Sequence, residues 1–217
     1  MSLYFITGTD TDCGKTTATS ELVKYFNEAN DSVITQKWIQ TGSRKDQNDI
    51  DNHLKALNKT KQELMPFIKH MCPYEFKLAS SAHLAAKQEN ITININTILN
   101  SINYLKDHFK HILIEGLGGI CVPINNSQTT LDILCKINAK IILIIENKLG
   151  CINHALLTHA IIKANKLNCI GFIMNSKSTQ LNPIIQKDTP EIIQKQTGLK
   201  KLGDLSPNKA LTLYSKI

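Results

Sequence analysis

Short runs of consecutive apolar residues recur along the chain, and segments with helical spacing of apolar residues lie between most of them. Buried strands are predicted at residues 3–7, 32–39, 111–114, 140–145 and 169–174. The segments 15–29 and 152–164 each place their apolar residues on one helical face. This alternation predicts right-handed crossovers and a mostly parallel sheet with helices on both faces, which is an α/β fold.

The rest of the chain sets the expected organisation. Residues 46–110 are predicted to be mostly helices and loops, and the order of the strands is left open. The 217 residues contain no internal repeat and no linker rich in Pro, Gly or Ser, so one domain over residues 1–217 is predicted. Ligands of open parallel sheets bind at the carboxyl ends of the strands. Functional residues are therefore expected just after the predicted strands.

Composition and charge exclude several classes of protein. An apolar fraction of 42% with 20% charged residues indicates a globular chain. The aliphatic stretch 141–145 is far shorter than the roughly 18 apolar residues of a membrane span, and the first residues lack a signal-peptide pattern, so a cytoplasmic protein is predicted. The formal net charge is +7, but the lysines are scattered, which argues against nucleic-acid binding. The six cysteines are at least 14 residues apart, which favours buried thiols over a zinc site.

A candidate phosphate-binding loop follows the first predicted strand. Its sequence is Gly8-Thr9-Asp10-Thr11-Asp12-Cys13-Gly14-Lys15-Thr16-Thr17, a Walker A variant with five residues, not four, before the Gly-Lys pair. Gly14 lets the backbone approach a phosphate, Lys15 reaches the β and γ oxygens, and Thr16 offers its hydroxyl to Mg²⁺. The alternative is a glycine turn that only caps a helix. Strand, loop, Lys-Thr pair and helix together favour a nucleotide site and a P-loop NTPase-like fold.

Two further predicted strands end in charged residues. The strand at 111–114 leads to Glu115 and then to Gly116-Leu117-Gly118-Gly119, so Glu115 is a candidate metal ligand. The strand at 32–39 carries Lys37, followed by Thr41-Gly42. A lysine beside a transferring phosphate stabilises the negative charge that develops there. A solvated carboxylate and a surface lysine are the alternatives.

These segments together resemble the dethiobiotin synthetase family over nearly the whole chain. The family's Gly-Thr-Asp-Thr and Gly-Lys-Thr elements stand at 8–11 and 14–16 with the same five-residue spacing. Its Lys-Pro-x-x-Ser/Thr-Gly and Glu-Gly-Ala-Gly-Gly motifs are similar to residues 37–42 and 115–119, with Trp38 in place of proline and Leu117 in place of alanine. Lys148-Leu149-Gly150-Cys151-Ile152-Asn153-His154 is similar to a family segment that leads into a helix, and Ala82 replaces a family proline.

The resemblance implies a homodimeric ligase that uses ATP, Mg²⁺, CO2 and diaminopelargonate and closes the two amines of that substrate into a cyclic urea. A carbamate forms first, its oxygen attacks the γ-phosphate, and the second amine then displaces phosphate. Lys15 and Lys37 are implied as catalytic. Nucleotide contacts are implied for Asp12, Cys13, Gly14, Lys15, Thr16, Thr17, Asp51, Glu115, Gly116, Leu117, Gly118, Asn175, Ser176, Asp204, Leu205 and Ser206. Substrate contacts are implied for Thr41 and, in the partner subunit, for Leu149, Gly150, Cys151, Ile152 and Asn153.

The resemblance leaves the third Mg²⁺ ligand, beside Thr16 and Glu115, between Asp49 and Asp51. The family's aspartate has a leucine three residues further on, and Asp51 with Leu54 keeps that spacing, so Asp51 is favoured.

Cys13 precedes Gly14-Lys15 at the start of the helix and is predicted to be a reactive thiolate that alkylates readily until nucleotide binds. A buried and inert thiol beneath the loop is the alternative.

Two other classes of P-loop protein compete with the ligase. Partition-type and septum-placement ATPases, which are switches that bind DNA or membrane, carry a second lysine early in the loop, where this chain has Thr9-Asp10-Thr11-Asp12. A GTPase is suggested by Asn147-Lys148-Leu149-Gly150, which lacks the guanine-reading aspartate at its fourth position. The ligase is favoured, with no nucleic-acid or membrane partner, and the partition-type ATPase is the alternative function.

Overall fold

Parallel strands form the main sheet, and one antiparallel strand closes its edge. The computed structural model describes residues 1–42, 48–176, 182–206 and 209–217. Across the sheet the order is β2 (Val33–Lys37), β5 (His111–Glu115), β1 (Ser2–Gly8), β6 (Ala139–Glu146), β7 (Cys169–Asn175), β8 (Lys201–Ser206) and β9 (Lys209–Leu213). All neighbours in this order pair in parallel except β8 and β9. A short separate parallel pair is formed by β3 (Ile39–Thr41) and β4 (Tyr74–Phe76).

Helices connect the strands. They are α1 (Lys15–Glu28), α2 (Asp49–Leu57), α3 (Met65–Met71), α4 (Ala82–Gln88), α5 (Ile95–Lys106), α6 (Thr130–Leu134), α7 (Cys151–Ala164) and α8 (Pro183–Thr197). Within the described ranges, none of them combines the length and apolar character needed to cross a membrane.

Both faces of the main sheet are covered. Side chains of a strand alternate between the two faces, and in β6 the buried residues Ile142 and Ile144 belong to one apolar cluster while Leu143 and Ile145 belong to another. The first cluster includes residues of α1 and α5, and the second includes residues of α7 and α8. The predicted α/β, P-loop NTPase-like fold class is confirmed.

All five predicted strands are present, but the run 32–39 is divided into β2 and β3 at Trp38. The Trp38 ring is fully buried against Phe5 of β1, with ring centroids 5.0 Å apart, and its Nε1 donates to Gln36 Oε1 at 3.1 Å. From this point the chain leaves the main sheet and pairs with β4. The strands β4, β8 and β9 lack a long apolar run and were not predicted.

The strand order brings the predicted functional residues together. Strand β5 lies between β2 and β1, and Glu115 at its end is in register with Lys37 of β2 and Ile6 of β1. The phosphate loop begins at the end of β1. Lys37, Glu115 and that loop therefore lie together at the carboxyl ends of the strands, because parallel strands all end on the same side of the sheet.

Candidate active site

The phosphate loop joins β1 to α1. Gly14 caps the helix with φ 103°, and a Cβ at this position would lie 2.1 Å from Nδ2 of Asn175, so both backbone and space require glycine. The Lys15 ammonium is buried and donates to the carbonyl oxygen of Asp10 at 2.9 Å. Gly14, Lys15 and Thr16 line one cavity. The helix N-terminus and the lysine thus provide positive potential at the same place, as phosphate binding requires.

Asn175 supports the loop from a neighbouring strand. It is the last residue of β7, it is buried, and its Nδ2 donates to the carbonyl oxygen of Cys13 at 2.8 Å. The side chain thus holds the phosphate loop to the sheet. The nucleotide contact implied for Asn175 stays a prediction.

Four polar side chains meet beside Lys15. The Thr16 hydroxyl donates to Oε1 of Glu115 at 2.8 Å and lies 3.3 Å from Oδ1 of Asp49. The Lys37 ammonium donates to Oε1 of Glu115 at 3.0 Å and to Oδ2 of Asp49. One ammonium therefore serves two carboxylates, and the group keeps a formal excess of negative charge.

The electrostatics of this cluster hold both Glu115 and Lys37 in their charged forms. Burial by itself would raise the pKa of Glu115, but the charge of Lys37 and a hydrogen bond from His53 lower that pKa to about 2. Burial likewise disfavours the Lys37 ammonium, yet the charges of Glu115 and Asp49 outweigh it and raise the pKa of Lys37. A buried ion pair of this kind is stable only while both partners are present.

The aspartate of the cluster is Asp49, whereas Asp51, which the sequence analysis favoured as the third Mg²⁺ ligand, lies outside the cluster. Helix α2 begins at Asp49, where the Asn48 side chain accepts a hydrogen bond from the N–H of Ile50 at 3.0 Å. Residues two positions apart on a helix point in different directions. Asp51 accordingly pairs with Lys61 at 3.0 Å, away from the cluster.

His53 joins the cluster and was missed from the sequence. Its ring is fully buried, and Nε2 lies 2.7 Å from Oε2 of Glu115. The available signal was the spacing of four residues from Asp49, which places both side chains on one face of a helix. That signal depends on choosing Asp49 rather than Asp51.

A cavity of about 670 Å³ opens over the phosphate loop and the cluster. Of the residues predicted to bind ligands, it is lined by Asp12, Gly14, Lys15, Thr16, Thr17, Lys37, Thr41, Glu115, Gly116, Leu117 and Gly118. It is also lined by Asp49, the alternative candidate for the third Mg²⁺ ligand, and by Thr11, Gln40, Ser80, Ser81, Ala82 and Val122, for which no ligand contact was predicted. Two of the three departures from the family motifs, Leu117 and Ala82, therefore line the cavity, whereas Trp38 is buried in the core against Phe5.

Ser176 and residues 204–206, which were also predicted to contact the nucleotide, lie towards the ends of β7 and β8, outside the lining of this cavity. Ser176, after β7, donates its N–H to the Leu205 carbonyl oxygen of β8 at 2.9 Å. The Asp204 carboxylate accepts from the Tyr214 hydroxyl and from Lys201 Nζ, the latter at 2.7 Å, so it is already engaged within the β8–β9 edge. Nucleotide contacts of Asp204, Leu205 and Ser206 stay predictions.

The predicted substrate segment, residues 149–153, opens α7. Gly150 caps the helix with φ 89°, Leu149 before it is 98% exposed, and Cys151 is buried. The neighbouring Lys148 ammonium lies 3.2 Å from Oδ2 of Asp10. This segment is therefore tied to the phosphate loop while Leu149 faces outwards.

Cys13 is not the accessible thiol that was expected. It is fully buried beneath the loop, and a Cβ on Gly8 would lie only 2.2 Å from its sulfur. Cys121 and Cys135 are the exposed cysteines. The burial contradicts the expected accessibility of Cys13 and fits the alternative of a thiol packed beneath the loop, while its rate of alkylation stays a prediction.

Comparison with known proteins identifies the family. A family model described as an AAA domain matches residues 3–214. The ATP-dependent dethiobiotin synthetase BioD 2 of Pasteurella multocida (strain Pm70) is 37% identical over 208 residues, which cover 95% of this chain and 93% of the relative. The chain belongs to this AAA domain family and, within it, to the ATP-dependent dethiobiotin synthetases. The dethiobiotin synthetase BioD of Legionella pneumophila (strain Paris) is 38% identical over 176 residues, covering 81% of this chain and 80% of the relative.

Membership of the dethiobiotin synthetase family makes the protein an ATP-dependent ligase of biotin biosynthesis. Solved structures of other P-loop proteins share its fold. A ParA family ATPase from Chlorobium tepidum TLS superposes with a TM-score of 0.59 at 15% identity, covering 96% of this chain and 84% of that one. The MinD cell division protein of Aquifex aeolicus has a TM-score of 0.58 at 13% identity, with coverages of 95% and 82%. At such identities the likeness concerns the fold alone, so these structures do not support the partition-type alternative.

Proposed function

We propose that this dethiobiotin synthetase carboxylates diaminopelargonate with CO2 and closes the ring to dethiobiotin, with ATP converted to ADP and phosphate in a Mg²⁺-dependent reaction. One observation carries the proposal. Lys15, Lys37, Thr16 and two carboxylates, Asp49 and Glu115, meet in a single cavity at the N-terminus of α1. That set combines a phosphate site, a cation site and a second lysine for the reacting groups.

The nucleotide phosphates would bind at the start of α1. Backbone N–H groups there and the Lys15 ammonium favour an anion. Lys15 donates to the Asp10 carbonyl oxygen and would exchange this neutral acceptor for phosphate oxygens, which bind an ammonium more strongly.

The residues present fit a Mg²⁺ ion that arrives with the nucleotide. Thr16, Asp49 and Glu115 offer only oxygen atoms, which Mg²⁺ prefers, and their formal charge excess favours a cation. The described residues contain no group of three or more His, Cys, Asp and Glu side chains that could hold a metal ion unaided. Two carboxylates with phosphate oxygens are the usual protein share of a Mg²⁺ site. The ion would neutralise charge on the phosphates.

Lys37 would serve the chemical step. A carbamate oxygen attacks the γ-phosphorus, the bond to ADP breaks, and the second amine then attacks the carbamate carbon and releases phosphate. Two anions must approach each other in the first of these steps. The Lys37 ammonium lies at the cavity wall within reach of both carboxylates and would stabilise the charge that gathers between the reactants.

Substrate would reach the cavity from the side of Thr41, and a second subunit would complete the site. Thr41 lines the cavity, which supports its contact with the reacting end of the substrate. Leu149, just before α7, is 98% exposed, and Leu157, in the middle of α7, is 56% exposed. The exposed Leu149 beside the N-terminus of α7 supports a homodimer in which residues 149–153 of the partner subunit hold the distant carboxylate of the substrate. Sedimentation equilibrium tests the dimer, which a monomer at micromolar concentration would contradict.

Phosphate release tests the reaction. The purified protein receives ATP and Mg²⁺, with diaminopelargonate and bicarbonate omitted in turn, and mass spectrometry identifies the product. Release that requires both compounds and yields dethiobiotin supports the proposal. Release that needs neither and rises with duplex DNA or anionic liposomes would replace it by a switch ATPase. Lys61→Met, at an exposed lysine outside the cavity, is the control and should behave as the wild type.

A further inference from the structure

His53 is a fully buried histidine that contacts only one side of the Glu115 carboxylate. Its Nε2 lies 2.7 Å from Oε2, whereas Thr16 and Lys37 both bind Oε1. The other ring nitrogen, Nδ1, has no hydrogen-bond partner among the residues that the structure describes. The contact with Glu115 is therefore the hydrogen bond that accounts for a polar ring at this position.

The hydrogen bond runs from the imidazole to the carboxylate. The Lys37 ammonium lies 3.0 Å from Oε1 of the same carboxylate, and a carboxylate paired with an ammonium only accepts hydrogen bonds. Nε2 must then carry the proton. If an apolar side chain filled the same space, Oε2 would be buried without a donor, which is costly for a charged group.

The place of His53 on α2 links the two carboxylates. Asp49 and His53 are four residues apart, so they lie on one face of the helix, and both reach the cluster. One helical face thus provides one carboxylate and the donor that orients the other. Movement of α2 would displace both together.

We propose that His53 is a positioning residue of the nucleotide–metal site: its Nε2–H holds Oε2 of Glu115, so that Oε1 stays directed at Thr16 and Lys37. The inference rests on the proposed function, since it assumes that Glu115 binds a metal ion. Outer groups that orient metal ligands in this way commonly change metal affinity by about ten- to a hundredfold when they are lost.

The test measures metal affinity directly. Mn²⁺ is the probe, the protein carries the non-hydrolysable nucleotide AMP-PNP, and electron paramagnetic resonance counts free Mn²⁺. His53→Leu keeps the bulk of the side chain and removes the donor, so Mn²⁺ binding should weaken about tenfold. Binding of a fluorescent ADP analogue in EDTA should stay unchanged. His53→Gln, whose amide N–H lies near the position of Nε2, should recover most of the lost affinity.

His111→Leu is a matched control. His111 is also buried. It is the first residue of β5, whereas Glu115 is the last, and its Nε2 pairs with Asp31 at 3.1 Å at the amino end of the strand. This variant should lower the free energy of unfolding without changing Mn²⁺ affinity.

Two results would overturn the proposal: unchanged Mn²⁺ affinity in His53→Leu, or equal losses in His53→Leu and His53→Gln. If the leucine variant fails to fold, ¹⁵N-histidine NMR of the wild type decides. A proton on Nε2 of His53 supports the assignment, and an Nε2 without a proton refutes it. These readouts need no diaminopelargonate, so failure of the proposed reaction remains distinguishable from failure of this inference.

Discussion

Replacement of Lys37 by methionine removes the ammonium of the central cluster while keeping most of the side-chain bulk. Nζ lies 3.0 Å from Oε1 of Glu115, and the two side chains are 9% and 1% exposed. At an effective dielectric constant near 20, charges at this distance attract by about 5–6 kcal/mol, part of which desolvation offsets. We therefore expect Lys37→Met to lower the free energy of unfolding by about 3 kcal/mol, as for other broken buried pairs.

The same substitution should reduce turnover more than nucleotide binding. Loss of one preorganised donor to developing charge costs about 2.7–4 kcal/mol, which corresponds to about 100- to 1000-fold in kcat. ATP affinity should change less than about threefold, because Lys15 and the helix amides supply the ground-state contacts. Urea unfolding and phosphate release measure the two effects, with Lys61→Met as the control. A kcat within threefold of the wild type, in a folded variant, would refute the role of Lys37.

Three further predictions follow from the same geometry. Asp49→Asn should raise the Mg²⁺ concentration for half-maximal activity at least tenfold, whereas Asp51→Asn, on a surface ion pair, should have little effect; the reverse order in a Mg²⁺ titration would contradict the assignment. Because the folded-state pKa of Glu115 is lowered to about 2, its contribution to stability should be complete above about pH 4.5 and be lost as the pH falls through about 2. The free energies of unfolding of the wild type and Glu115→Gln, measured with urea, should therefore converge in acid. A difference that stays constant with pH would contradict this expectation. Limited iodoacetamide treatment with peptide mapping should label Cys121 before Cys13, with or without nucleotide, and early labelling of Cys13 would show that the loop opens.

Much of the fold and part of the site followed from local sequence. Consecutive apolar residues marked five buried strands because a parallel strand covered on both faces has no polar side. The phosphate loop was recognisable because phosphate binding needs glycine, lysine and a hydroxyl at a fixed spacing at a helix start. Lys37 and Glu115 were predicted to lie at the same end of the sheet, since the carboxyl ends of parallel strands are on one side. These inferences need only the spacing of apolar residues along the chain and the parallel direction of the predicted strands.

Other features depended on how elements turn and pack against one another. Asp49 and Asp51 have the same chemistry and differ by two positions, so only the rotation of α2 against the sheet decided which carboxylate meets Thr16 and which meets Lys61. That rotation also carried His53 to Glu115, across 62 residues of sequence.

The sequence by itself determined which residues could bind phosphate and which strands would be buried, because both properties belong to short segments. Only the tertiary structure decided that Cys13 lies beneath the loop, that Trp38 packs on Phe5, and that one lysine serves two carboxylates. Burial and side-chain partners depend on distances between segments that are remote in the chain, and those distances are set by packing of the whole core.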